Sequence, residues 1–231
     1  MRFLSYDKWL STNLKRKSYL LSEKNTLKFL KVFNPKSGIF IYTKTKRKKL
    51  IRNLKKKKFR YITTNFQYKK KFSNKNTFDS KIENCRHAID KDKEKIALIS
   101  EKTYKYSRFH LDKKIPRKYC DLIFRTWIFN FFKKKRSDYL IVYSLKNKIL
   151  GFLLLKKEKK HSLRIDLIGV NKSKMREKVG KTLIDTALYL FQKNFKYLVV
   201  GFQSHNLIAK KFYTNLGFSF SGKKNIYHFY N

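Results

Sequence analysis

Apolar positions recur along this chain with two different periods, and the switches between them mark its elements. From Lys93 to Lys105, Ile96, Leu98 and Ile99 predict the apolar side of a helix. Pro116 sits where a helix could begin, since its missing N–H is one that a first turn leaves unused; behind it Cys120, Ile123, Trp127 and Phe131 recur at three and four residues. Shorter runs rich in β-branched and aromatic residues follow. Tyr139 to Tyr143 and Ile149 to Leu155, turned through Asn147, read as a hairpin, and Leu163 to Val170 as a third strand. Val179, Leu183, Ala187 and Leu190 place one apolar face on a helix from Val179 to about Phe191. Tyr197 to Phe202 is a fourth strand. Asn206 to Leu216 reads as a short helix, with Gly217 where a left-handed residue often ends one. Phe218 to Phe220 and Ile226 to Tyr230 read as closing strands.

The first 85 residues are poorly punctuated. Between Lys44 and Lys71 the charge is densest: Lys44, Lys46, Arg47, Lys48, Lys49 and Arg52, then Lys55 to Lys58, Arg60, and Lys69 to Lys71. Such a run reads as a solvated face or a flexible loop. The interleaved Phe59 and Tyr61 would also allow stacking on single-stranded RNA. No repeat occurs at a solenoid period. The pattern therefore predicts a basic, smaller and degenerate N-terminal α/β domain over residues 1–90, and a mixed α/β domain over 91–231.

Composition narrows the class. A 231-residue chain with 42% hydrophobic and 16% aromatic residues can bury a core, so its charge does not make it disordered. It holds no run of eighteen apolar residues, and Asp7 and Lys8 interrupt the N-terminus, which predicts neither a membrane span nor a cleaved leader and hence a cytoplasmic protein. Cys85 and Cys120 lack metal or redox spacing and are expected as reduced thiols; no metal site is expected. The net charge of +44 has two readings. One is binding to nucleic acid or an anionic surface. The other is mutational: Lys, Asn, Ile, Phe and Tyr have AT-rich codons, which inflates lysine whatever the function.

Two strings carry the chemistry. Ile165 to Val170 runs into a polar turn, Met175-Arg176-Glu177-Lys178-Val179-Gly180-Lys181, that opens a helix. Backbone amides at such a helix start suit a pyrophosphate, and Gly180 permits close approach. Then Asn206, Ala209, Phe212, Tyr213, Gly217 and Phe218 fill every named place of N-x-x-A-x-x-F-Y-x-x-x-G-F. In this order the strings resemble the Gcn5-related N-acetyltransferase (GNAT) superfamily. The turn departs from that family's Arg/Gln-x-x-Gly-x-Gly/Ala pattern, with Met175 and Lys178 at the first two named places and only Gly180 fitting. Ser107-Arg108-Phe109-His110, Ile115-Pro116 and Trp127-Ile128 are similar to the branch that acetylates nucleotide-linked amino sugars.

The resemblance implies a mixed, mostly antiparallel sheet flanked by helices. It implies acetyl-CoA as co-substrate, direct transfer to the amine of a dTDP-4-amino-4,6-dideoxygalactose-type sugar, and a homodimer. Tyr213 would protonate the departing thiolate, since a thiol near ~8.5 and a phenol near ~10 are close in acidity. Backbone groups of Ile168, Gly169 and Val170 would meet the thioester. Arg176, Lys178, Val179, Gly180 and Lys181 would hold pyrophosphate, with Asn206 and Phe212 also on the cofactor. Arg108 and His110 would bind the acceptor, Arg108 as a fork on phosphate. His110 and His228 are the candidate bases. Three alternatives stay open: the same chemistry on another amine, a degenerate GNAT fold that binds RNA or the ribosome, and a copy with eroded activity.

Overall fold

The computed structural model describes residues 3–34, 38–73, 80–171 and 177–231. Ten strands form a single sheet: β1 (Leu4–Tyr6), β2 (Lys17–Leu21), β3 (Ile39–Thr45), β4 (Arg60–Lys71), β5 (Cys85–His87), β6 (Tyr139–Leu145), β7 (Lys148–Glu158), β8 (Ser162–Val170), β9 (Tyr197–Gln203) and β10 (Ser219–Tyr230). Their order across the sheet is β1-β2-β3-β10-β4-β9-β8-β7-β6-β5. Neighbours are antiparallel except for β2–β3 and β8–β9. The sheet is continuous across residue 90, because β4 lies between β10 and β9 while β5 pairs with β6.

Helices cover the two faces. On one, α4 (Lys93–Thr103), α5 (Arg117–Phe132) and the N-terminal α1 (Lys8–Leu14) pack on β6, β7 and Phe40 of β3 through Ile96, Ile123, Ile128, Leu10, Phe152 and Leu154. On the other, α6 (Val179–Phe191) lays Val179, Leu183, Ile184 and Ala187 against Leu153, Leu155, Leu163 and Ile165. There α7 (Leu207–Asn215) adds Tyr213 to the same core. A third cluster joins α2 (Thr26–Lys31) and α3 (Lys48–Lys56) to β3 and β10 through Phe29, Leu30, Leu54, Ile41 and Tyr227.

Several expectations change. The basic stretch from Lys44 to Lys71 is not a loop: it holds α3 and the whole of β4, an interior strand. Its lysines other than Lys44 and Lys70 face solvent, while Leu50 and Leu54 anchor the helix and Ile62 and Tyr68 the strand. The two closing strands are one, β10, with irregular register at Phe220/Gly222 and at Ile226/Tyr227. Leu98 and Leu190 point outward, at 45% and 44% exposure, because the buried stripes run through Ile96, Ala97 and Ser100 on α4 and through Ala187 and Leu188 on α6. Cys85 is half-buried, Cys120 is buried, and both are free thiols.

Asp7 ties the N-terminal segment to this frame. Its Oδ1 accepts the Leu10 N–H at 2.9 Å, capping α1, and its Oδ2 accepts the Tyr42 hydroxyl at 2.8 Å. Trp9 then packs edge-on against Trp127 of α5, with centroids 5.4 Å apart. Replacing Asp7 by Ala removes the cap and orphans a half-buried hydroxyl. We expect a loss of about 1–3 kcal/mol in urea unfolding, with Asp7→Asn recovering most of it. An Asp7→Ala protein as stable as the parent would show that this contact does not anchor the segment.

Candidate active site

The site begins where β8 and β9 stop pairing. Their parallel ladder runs only from Ser162↔Tyr197 to Ile165↔Val200. At the next residue β8 is irregular against β7, with Leu155 opposite Ile165 and Leu154 opposite Leu167, so Asp166 is the extra residue of a bulge. Past it, the β9-facing backbone groups of β8 must find other partners. Tyr104 supplies them at Ile168: its hydroxyl accepts the Ile168 N–H and donates to the Ile168 carbonyl, both at 2.8 Å. The Tyr104 ring is held by stacking on Phe124, 4.2 Å between centroids and 13° between planes. By the two-residue period of a strand, the Val170 amide points to the same side. The expected Ile168 donor is therefore engaged, and Val170 is the amide turned into the opening.

The start of α6 faces this opening. Its first intrahelical bond is Thr182 N–H to the Lys178 carbonyl at 3.0 Å, and no side chain caps the end. The amides of Val179, Gly180 and Lys181 precede that bond and thus have no intrahelical partner. A Cβ on Gly180 would lie 3.3 Å from the Phe212 ring and 3.7 Å from Val170, so glycine lets α6 start hard against α7. Lys178 takes the left-handed conformation, φ 58°, where the family pattern has glycine. The Lys181 ammonium is paired with Asp185 at 2.5 Å. Met175 and Arg176 lie outside the described residues.

Tyr213 is buried beside this opening. Its ring stacks on Phe202 at 5.7 Å and meets Phe212 and Phe218 edge-on at 5.1 and 5.3 Å. Burial pushes its phenol well above the ordinary range, so it holds its proton throughout the physiological range. The gap to a thiol is wider than ordinary values give. Tyr104 is raised too, by burial first and then by the nearby Tyr213 phenol. Asn206 caps α7, its Oδ1 accepting the Ala209 N–H at 3.0 Å.

His110 is not placed for an acceptor. Its Nδ1 bonds the Ser107 hydroxyl at 2.7 Å within the 107–110 turn, and its Nε2 meets Asp121 at 2.9 Å, tying that turn to α5. His228 is equally occupied. Arg108 Nη1 donates to its Nε2 at 3.1 Å, and its Nδ1–H donates to Asp112 at 2.6 Å. That bonding fixes a neutral tautomer with no lone pair left for a base. Burial, ahead of the opposing bond to Asp112, lowers its pKa to about 4. Arg108 itself is half-buried, its guanidinium 4.1 Å from the Tyr42 ring centroid and 4.2 Å from that of Phe109.

Sequence reasoning missed Tyr104, Asp112 and Asp166. Only Asp166 left a signal, an acid inside the apolar run Ile165 to Val170, which is where the bulge falls. Its Oδ2 accepts from Ser137 at 2.7 Å and from the Trp127 indole at 3.3 Å.

A sheet opened between two parallel strands, with bare helix amides at one end of the gap and a buried phenol beside it, is the arrangement of an acyl-group transferase. Residues 101–218 match the model of the Acetyltransferase (GNAT) family, and the chain belongs to that family. No curated protein matches the sequence. Among solved structures, a conserved protein of unknown function from Staphylococcus epidermidis aligns with TM-score 0.62 at 11% identity, covering 96% of this chain and 88% of its own. A GNAT protein from Sphaerobacter thermophilus gives 0.60 at 9%, covering 98% and 75%. A GNAT-family protein from Novosphingobium aromaticivorans gives 0.58 at 8%, covering 93% and 84%. At these identities the likeness speaks for the fold alone.

The buried His228 sets a pH dependence. Its folded pKa of about 4 lies below the ordinary 6.5, so between those values the unfolded chain takes up a proton that the folded chain refuses. Stability therefore declines as pH falls from about 6.5 to 4, by on the order of 3 kcal/mol for this group. His110, also lowered by burial, adds a decline of the same sign. Urea titrations should show a shallower decline in His228→Gln than in the parent; parallel curves would contradict the buried neutral assignment.

Proposed function

We propose that this chain transfers the acetyl group of acetyl-CoA directly to the amine of a nucleotide-linked amino sugar of the dTDP-4-amino-4,6-dideoxygalactose type. The observation that carries the transfer reading is the opening at Ile165/Val200, with the bare amides of α6 at one end and Tyr213 beside it. These residues fit the cofactor. The Val179, Gly180 and Lys181 amides and the Lys178 side chain would hold its phosphates. Acetyl-CoA supplies an activated thioester whose carbonyl the acceptor amine attacks.

This chain's own groups have three tasks. The Val170 amide donates to the carbonyl oxygen as negative charge develops there. Tyr213 gives its proton to the departing sulfur. Its raised pKa keeps it protonated until that charge appears, and a thiolate formed against it in a dry pocket is a stronger base than one in water. Binding both reactants in one cleft supplies much of the rate. The proton that the acceptor amine sheds passes to solvent, from which the Tyr213 phenol is reprotonated.

The sugar-nucleotide acceptor rests on the likeness of Ser107 to His110 and Trp127-Ile128 to dTDP-fucosamine acetyltransferase of enterobacterial common antigen synthesis. Arg108 supports it, as a half-buried guanidinium with no ion pair among the described residues.

Thiol release with acetyl-CoA and dTDP-4-amino-4,6-dideoxygalactose tests this reading. Tyr213→Phe should lower kcat by about 10²–10⁴-fold while acetyl-CoA binding and unfolding midpoint hold, as loss of a proton donor requires. A folded variant with parental turnover would remove Tyr213 from the chemistry, and no thiol release from the parent would remove this acceptor.

A further inference from the structure

One face of the sheet carries two cations, Arg108 and Lys44, that no ion pair matches among the described residues, while Arg60, Arg136 and Arg164 nearby are paired with Asp112, Asp166 and Glu158. Strand period places Phe40, Tyr42 and Lys44 of β3 on that face, beside their β10 partners Tyr230, His228 and Ile226. Arg108 lies across the first part of this row, its guanidinium between the Tyr42 and Phe109 rings. Lys44 is the next side chain along, its Cα about 7 Å from that of Tyr42.

The acids within reach are already used. Asp112 takes His228, the Tyr230 hydroxyl, the Lys114 amide at 3.1 Å and, as an ion pair at 3.7 Å, Arg60. Asp7 takes the Tyr42 hydroxyl and the α1 amide. Asp166 holds Trp127 and Ser137 and lies 3.6 Å from the Arg136 Nε, which is buried without a hydrogen bond. Neither Arg108 nor Lys44 forms an ion pair among the described residues. Lys44 keeps access to water, yet burial and then the charges of Arg108, Arg164, Lys224 and Arg136 lower its pKa to about 8. Farther along the face, Gly201 carries no side chain, and the Asn65 amide and the guanidinium of Arg164, which is paired with Glu158, lie 3.3 and 3.5 Å from where a Cβ would stand.

Arg108 and Lys44, partly desolvated and without an ion pair of their own, repel one another, and an entering anion relieves that repulsion. Arg108 is also oriented before any ligand arrives: two rings fix its plane and His228 takes one of its donors. Its remaining donors form a fork suited to carboxylate or phosphate, and Lys44 offers a point charge beside it.

We propose that Arg108 and Lys44 together seat an anionic group, phosphate or carboxylate, of the acceptor, and that this site selects acidic amines over cationic ones. The inference rests on the acetyl-transfer reading for the word acceptor, but its anion site is separately measurable. Polyamines and lysine-rich peptides would enter against the field and should be poor acceptors.

The test uses the full chain saturated with CoA, so that the α6 phosphate site is filled. Thymidine diphosphate and succinate are titrated separately, which distinguishes a phosphate from a carboxylate source. One-site binding of either anion is expected. It should weaken by about tenfold or more in Lys44→Met and in Arg108→Gln, the scale for losing a charge-assisted contact, with CoA affinity unchanged. Arg108→Lys should recover part of the loss. Lys148→Met, an exposed lysine at the start of β7, controls for general charge. Absence of binding by both anions, or an equal loss in Lys148→Met, overturns the proposal. Failure of CoA itself to bind would instead count against acetyl transfer, and anion binding that still depended on Lys44 would leave the site standing.

Discussion

The point at which β8 and β9 part, just after Ile165 and Val200, governs the rest of this structure. Parallel strands buried on both faces normally satisfy each other's backbone along their whole length. Here the bulge at Asp166 turns β8 away, and the unpaired edge must be satisfied by something that is not a strand. Tyr104 does this at Ile168 with one hydroxyl acting as donor and acceptor. The flanking elements follow from the same opening. Helix α6 starts with bare amides at the end of it, and α7 approaches closely because position 180 has no side chain. Tyr213 is buried where α7, β9 and the start of β10 meet.

The excess of positive charge acquires a different meaning once the acids are located. With 15 acidic residues against 59 basic ones, each acid is scarce, and several do specific structural work. Asp7 caps α1 and receives Tyr42, Asp112 holds His228 and Tyr230, Asp121 holds His110, and Asp92 binds Arg86 at 2.6 Å. Exposed lysines along α3 need no partner, because water solvates them. Arg108 and Lys44 are different: their solvation is reduced by burial and neither forms an ion pair among the described residues. Codon bias can account for the first group. It does not account for a guanidinium oriented by two aromatic rings and a neutral histidine.

The last third of the chain was the most legible in the sequence. Helix α6 occurs at Val179–Phe191 and α7 within one residue of its expected bounds, because apolar period, an asparagine cap and Gly217 agree there. Tyr213 and Gly180 could be picked out because they sit in ordered strings. The N-terminal strands were not legible. In β4 one face carries the polar Thr63, Asn65 and Gln67, and its end is three lysines, so an interior strand reads as a charged loop. Tyr104 follows α4 with no pattern around it, and its role exists only because β8 bulges 60 residues later. The two histidines that looked available, His110 and His228, are consumed by neighbours distant in sequence, which no local reading could reveal. Lys178 departs from the family's glycine and still takes the left-handed conformation, so the turn is retained at a conformational cost of roughly 1–2 kcal/mol.

The central claim is that the opening between β8 and β9, with the start of α6, receives acetyl-CoA although the turn has lost its first glycine. Isothermal titration of acetyl-CoA into nucleic-acid-free protein at moderate salt, with ADP as the control for generic anion binding, tests it most directly. The account predicts one-site binding in the micromolar range that ADP does not reproduce. No binding, or binding that ADP matches, would contradict it and leave Tyr213 as a core aromatic in a fold kept for another purpose.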